Sequence, residues 1–177
     1  MLEGIKKISI IGGSGTGKTT LADNLAEELG LPVYHLDGLN YSKNWEENNK
    51  EERDKIILEK TTQPQWIMDG TYTSTLEKRL QASDFIIYLD YSSLAQAKGA
   101  MGRFLKNHGK EKAEIPGCKE KMTFSFFFWI LRWRGKKRNY IVELVDKIDQ
   151  NKVVVFKNRK QLLKWYRKTF NKDMVIK

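Results

Sequence analysis

Eight residues near the amino terminus, Gly12-Gly13-Ser14-Gly15-Thr16-Gly17-Lys18-Thr19, constrain this chain more than any other segment. They match the spacing G-x-x-x-x-G-K-[ST], in which a glycine-rich backbone wraps an anion. Upstream, Ile5-Lys6-Lys7-Ile8-Ser9-Ile10-Ile11 is β-branched and ends in an apolar pair, the pattern of a strand buried in a parallel sheet. Downstream, Leu21, Leu25, Ala26 and Leu29 recur at helical spacing until Gly30 and Pro32 stop the helix. Strand, glycine loop and helix in that order make an anion cradle, because glycines reach positive φ and let successive N–H groups turn inward. The first helical turn adds unpaired N–H groups and the positive end of the helix dipole. The ligand expected here is the triphosphate of ATP, held by Gly12, Gly13, Ser14, Gly15, Thr16, Gly17, Lys18, Thr19 and Thr20. Lys18 is expected to reach the β- and γ-phosphates, and Thr19 to offer its hydroxyl to Mg²⁺.

Beyond this unit, apolar runs at residues 32–37, 65–68, 84–89 and 153–156 read as further strands. Helical patterns separate them at 45–59, around Leu76 and Leu80, at 93–106, in a long stretch bending near Gly135, and at 159–170. Alternation of this kind predicts an α/β, three-layer P-loop NTPase fold with a five-stranded parallel sheet and right-handed crossovers. Ligands in such folds sit at the carboxyl ends of the strands. At 177 residues the chain suits one domain, 1–177. The irregular, glycine-containing segment from about Arg103 to Lys121 has the composition of a lid over phosphates and equally that of a surface loop.

The formal net charge of +10 implies attraction to polyanions without choosing among nucleotides, nucleic acid and acidic surfaces. A single cysteine, Cys118, excludes an intramolecular disulfide, and Met1-Leu2-Glu3-Gly4 runs into the first strand without a secretory apolar region. The apolar stretch 124–131 is shorter than the roughly 20 residues of a membrane span, and Arg132 and Arg134 follow it. A cytoplasmic protein with no membrane span is therefore expected.

Phosphoryl transfer needs a carboxylate near the metal and often a second to orient or deprotonate the acceptor. Asp37 follows His35 by two residues, so both would project on one face of a continuing strand toward an acceptor. Asp69 ends an apolar strand before Gly70, and is the magnesium candidate. Asp90 reads as a cap or turn residue, and His108, among polar neighbours, as solvated. Arg103, Arg132 and Arg134 are candidates to bring positive charge to the phosphoryl group, against a solvated helix face as the alternative. The aromatic residues Phe124, Phe126, Phe127, Phe128, Trp129 and Trp133 read mainly as packing.

The glycine loop, Leu31-Pro32-Val33-Tyr34-His35-Leu36-Asp37 and Trp66-Ile67-Met68-Asp69-Gly70-Thr71-Tyr72, followed by Thr75-Leu76 and Arg79-Leu80, resemble the bacterial DNA topology modulation proteins. That group is adenylate-kinase-like, and the resemblance covers most of residues 5 to 160. Gly117-Cys118 with Glu120 is similar to its lid segment. The resemblance implies a nucleoside monophosphate kinase-like fold, a substrate site including His35, Asp37, Asp69, Gly70 and Arg79, and Arg79 facing the acceptor. It departs at the lid, where a pair of arginines four apart is usual and this chain has Gly99 and Arg103.

Two functions follow as expectations. One is an ATP- and Mg²⁺-dependent kinase acting on a small acceptor such as a nucleotide or nucleoside. The other is a nucleotide-dependent DNA-binding protein using Arg132, Arg134, Lys136, Lys137 and Arg138 against phosphates, although no groove-reading motif is evident.

Overall fold

A computed structural model of the chain describes residues 2–112, 115–119 and 135–176. Arg132, Arg134 and the aromatic residues between Phe124 and Trp133 lie outside the described residues. Five strands, β1 (Lys7–Gly12), β2 (Val33–His35), β3 (Trp66–Asp69), β4 (Phe85–Leu89) and the last, Val153–Phe156, form one sheet. The order is β2-β3-β1-β4 and then Val153–Phe156, with every pairing parallel. The helices between them are α1 (Lys18–Leu29), the short α2 (Asp37–Asn40), α3 (Lys50–Thr61), α4 (Thr73–Ala82), α5 (Ser93–Asn107), α6 (Lys136–Asp146) and α7 (Arg159–Phe170). This is the α/β P-loop fold expected from the alternating pattern.

Strand period two sorts the core into two layers. Ile8, Ile10, Ile87 and Leu89 face α1 and α7, where Leu21, Leu25, Leu162 and Tyr166 complete one cluster. Ile11, Ile86 and Tyr88 face the other way, onto Leu76 and Leu80 of α4 and Ile141 and Leu144 of α6. Each fully buried Ile or Leu contributes roughly 1.5–3 kcal/mol by leaving water. After α7 the chain returns to α1, where Val175 donates its N–H to Asn24 Oδ1 (2.7 Å) and accepts from Asn24 Nδ2 at its carbonyl (2.9 Å). No helix among the described residues is long and apolar enough to cross a membrane.

Several boundaries differ from expectation. β2 stops at His35, because Asp37 opens the short helix α2. The helix expected from residue 45 begins at Lys50, where Asn49 accepts from the backbone N–H of Glu51 and Glu52 and caps it. Residues 43–45 form a separate 3-10 turn. The segment read as irregular contains an antiparallel hairpin, Glu111–Lys112 (β5) against Ile115–Lys119 (β6), whose first strand is all charge and shows no apolar alternation. Val153–Phe156 is thus the seventh strand in chain order, after the hairpin strands, and is labelled β7 from here.

Asp90 is not a cap; Ser92 has that task, accepting from the N–H of Ala95 at 3.2 Å. Asp90 has a fully buried carboxylate that takes two bonds from Arg138, Nε at 2.7 Å and Nη2 at 2.6 Å, and one from Lys157 Nζ at 2.6 Å. Burial alone would raise its pKa, but the hydrogen bonds and charges of Arg138 and Lys157 hold it below the usual carboxylate range. The three residues tie the ends of β4 and β7 to the start of α6.

Removing Arg138 from this cluster should lower stability by about 2 kcal/mol, the scale of hydrogen bonds to a charged group. Because the pKa of Asp90 is depressed on folding, its contribution is present above about pH 4 and fades as pH falls through the folded-state value. Denaturant unfolding of Asp90→Asn against the parent should show a stability gap at pH 7 that narrows on acidification. A gap independent of pH would contradict the ion-pair account.

Candidate active site

The glycine loop joins the carboxyl end of β1 to α1, with Gly17 at the helix cap in the left-handed region (φ 89°). Lys18 Nζ and Thr16 Oγ1 both donate to the Gly13 carbonyl at 2.9 Å, which folds the loop around its own centre. From the neighbouring strand end, the Thr71 hydroxyl accepts from the Gly12 N–H (2.9 Å) and donates to the Gly12 carbonyl (2.8 Å). On the far side, α5 presses directly on the loop: a Cβ on Gly15 would overlap the Gln96 carbonyl and the Ala100 nitrogen. A Cβ on Gly99 would overlap the Gly15 carbonyl in turn. Gly99, where an arginine of the lid pair would fall, is therefore required by the packing of the loop.

Two carboxylates reach the same cleft by different routes. Asp69, at the end of β3 and 6% exposed at its side chain, accepts at Oδ2 from His35 Nδ1 across 2.8 Å. The opposite ring nitrogen, Nε2, lies 3.1 Å from Asp23 Oδ1 on α1. His35 thus faces two acids. Asp37, one turn away at the start of α2, accepts at Oδ1 from the Tyr72 hydroxyl at 2.8 Å. Burial first, and then the Asp37 carboxylate, push the Tyr72 phenol up, so it stays protonated and remains the donor. The Arg53 guanidinium lies over the Tyr72 ring, 4.7 Å from its centroid, and is bound to Asp54 and Asn40.

The cleft, of about 2000 Å³, is lined by Gly12, Ser14, Gly15, Thr16, Gly17, Lys18, Thr19 and Thr20 on one wall. His35, Asp37, Asp69 and Gly70 also line it, as does Arg103 of α5. Gly13 is the exception among the loop residues, since its position is backed by the buried Gln96 side chain.

Arg79 is not among the residues that line the cleft. It is fully buried in α4, donating from Nη1 to the Gly70 carbonyl (3.1 Å) and from Nη2 to the Tyr72 carbonyl (3.4 Å). Burial pulls its guanidinium down to about 10, leaving it charged at neutral pH. Its placement suits holding the β3–α4 loop, on which Asp69 and Tyr72 depend. Arg138, expected on a DNA-facing patch, turns its guanidinium to Asp90.

The hairpin of β5 and β6 docks on the turn at residues 43–45. Cys118 is buried there, its thiol donating to the Ser42 carbonyl (3.1 Å) and accepting from the Trp45 N–H (3.2 Å). Trp45 adopts φ 65° in this turn and meets Tyr41 edge-on at 5.4 Å.

The donor set fits magnesium carried by a triphosphate. No group of three or more His, Cys, Asp and Glu suited to a metal occurs among the described residues, so an all-protein cage is absent there. Magnesium commonly uses one or two protein oxygens and completes its octahedron with phosphates and water. Thr19 and Asp69, both on the cleft wall, offer such a partial set, and the glycine cradle offers the phosphates a seat.

Asp23, Arg53, Thr71 and Tyr72 were not singled out as site residues from the sequence. Asp23 lies four residues after Thr19 on a helix, which places both on one face and is a readable signal. Arg53 shares a four-residue period with Ile57 and Thr61, the buried stripe of α3. Thr71 and Tyr72 were seen only as part of a motif.

Comparison with known proteins agrees with this geometry. Residues 8–90 match the model of the ATPase family associated with various cellular activities (AAA), which carries a P-loop NTPase domain. No curated protein matches the chain by sequence. Among solved structures, a shikimate kinase from Acinetobacter baumannii, in complex with shikimate, is similar with a TM-score of 0.57 at 17% identity, covering 96% of each chain. A gluconokinase from Sinorhizobium meliloti 1021 is similar with a TM-score of 0.56 at 15% identity, covering 94% of this chain and 90% of the other. At these identities the likeness establishes the shared fold.

The contact between α5 and the loop is testable by adding one methyl group. Gly99→Ala should cost about 1–3 kcal/mol through overpacking and weaken ATP binding, because the displaced atom is the Gly15 carbonyl. Gly102→Ala, where a Cβ meets nothing within 4 Å, should leave stability unchanged or raise it slightly. Thermal unfolding of the pair decides; equal melting temperatures would contradict the packing.

Proposed function

We propose that the protein is an ATP-dependent phosphotransferase that moves the γ-phosphoryl group to a hydroxyl of a small molecule, a nucleotide or nucleoside. The observation supporting it is that the phosphate loop and the carboxylates Asp37 and Asp69 line one cleft. Loop amides and Lys18 would seat the triphosphate, and Thr19 with Asp69 would hold magnesium. Bound magnesium would neutralise charge developing on the phosphoryl oxygens.

Asp37 is the acceptor-side group. Held by the Tyr72 hydroxyl through Oδ1, it retains Oδ2 to receive the acceptor hydroxyl and its proton. Gly70 lets the chain turn beside it, and Arg103 supplies positive charge from the α5 wall; Arg132 and Arg134 would act in the same sense. The reading carries with it a single domain, a lid from about Arg103 to Lys121 and a cytoplasmic setting. His35-Leu36-Asp37 and Trp66 through Tyr72 also support kinship with the DNA topology modulation group, while the engagement of Arg138 by Asp90 removes one cation from the DNA-binding alternative.

Transfer from γ-labelled ATP to a panel of nucleosides, nucleotides and hydroxy acids tests the reading. Asp37→Asn should lower kcat by at least about 100-fold with ATP affinity little changed, the scale of losing a general base. Lys18→Ala should lose ATP binding while keeping its fold. Hydrolysis without transfer to any member of the panel would refute the kinase assignment.

A further inference from the structure

His35 was expected to meet an acceptor, yet both of its ring nitrogens are directed at carboxylates. Backbone register sets this up: His35 and Asp69 are paired partners on adjacent parallel strands, so their side chains emerge side by side at the same sheet edge. Leu36 N–H donates to the Asp69 carbonyl at 3.0 Å, which fixes the strand end that carries the carboxylate. Nδ1 then lies 2.8 Å from Asp69 Oδ2, and Nε2 lies 3.1 Å from Asp23 Oδ1. Asp23 stands one helical turn beyond Thr19 on α1. The imidazole therefore spans from the phosphate-loop helix to the end of β3, and joins the two elements that bear the proposed metal ligands. Its side chain is 19% exposed, against 6% for Asp69, so both groups of the pair are largely withdrawn from solvent.

We infer that His35 is a positioning residue for the metal site: bridging Asp23 and Asp69, it holds the Asp69 carboxylate in the orientation that meets magnesium, and it does not bind the acceptor. The inference rests on the kinase reading above. A carboxylate at a strand end can turn about two side-chain bonds, and a metal bound through few protein oxygens is sensitive to that freedom. Outer partners of this kind change metal affinity by about 10–100-fold when removed. The shape of the ring also separates its two contacts: an asparagine amide overlays Nδ1 and keeps the Asp69 bond, whereas a glutamine amide overlays Nε2 and keeps only the Asp23 bond.

The test uses the full chain and titrates Mn²⁺ in the presence of a non-hydrolysable ATP analogue, followed by electron paramagnetic resonance. His35→Ala should weaken Mn²⁺ by about tenfold or more, His35→Asn should recover most of that loss, and His35→Gln should not. Binding of the same analogue in EDTA should be unchanged in all three. The KM of the acceptor should be unchanged as well, while the metal concentration for half-maximal rate rises. Thermal unfolding checks that each variant is folded, and His35→Asn keeps the question decidable should alanine fail. Wild-type Mn²⁺ affinity in His35→Ala, or rescue by glutamine in place of asparagine, would overturn the inference. So would a raised acceptor KM with unaltered metal binding, which would return His35 to the acceptor. Absence of analogue binding by the unmodified protein would instead refute the kinase reading, and is seen before any variant is made.

Discussion

The backbone-to-backbone contact between the phosphate loop and α5 is the constraint from which the site is built. Gly15 and Gly99 let two backbones approach until no side chain fits between them. That approach presses the loop from one side while the Thr71 hydroxyl holds Gly12 from the other. A loop clamped on both sides is held in place without a ligand to organise it, which is what a pre-formed anion site requires.

Sheet order does the rest of the positioning. With β3 between β1 and β2, the end of β3 lies beside the loop, and the end of β2 lies beside the end of β3. Asp69 therefore falls between the phosphate loop and the end of β2, and α2 carries Asp37 out to Tyr72. Acids and bases meet in several small clusters among the described residues. Asp23 and Asp69 share His35, Asp90 takes Arg138 and Lys157, and Arg53 is met by Asp54.

Much of this was legible in the sequence where one local rule governed. The strand-loop-helix around Gly12 to Thr19, the five apolar strands and the carboxylates at Asp37 and Asp69 each follow from period, punctuation or motif spacing. What was not legible depended on tertiary approach. Asp90 looked like a turn residue because its partners, Arg138 and Lys157, stand 48 and 67 residues away. The burial of Arg79 was not readable, because a motif shows which residue is present and not which way its helix turns. Gly99 looked like a missing arginine until the Gly15 carbonyl was found beside it. The β5 strand carries only charge, so its pairing with β6 had no apolar signal to announce it.

The account depends on the loop between β1 and α1 being a seat for a polyphosphate tail. Calorimetric titration of the folded protein with ATP and with adenosine, each in the presence of magnesium, measures that dependence directly. The account predicts saturable heat from ATP and little or none from adenosine, since the loop and Lys18 grip phosphate and not the base. Equal heats from both ligands, or none from ATP, would contradict it.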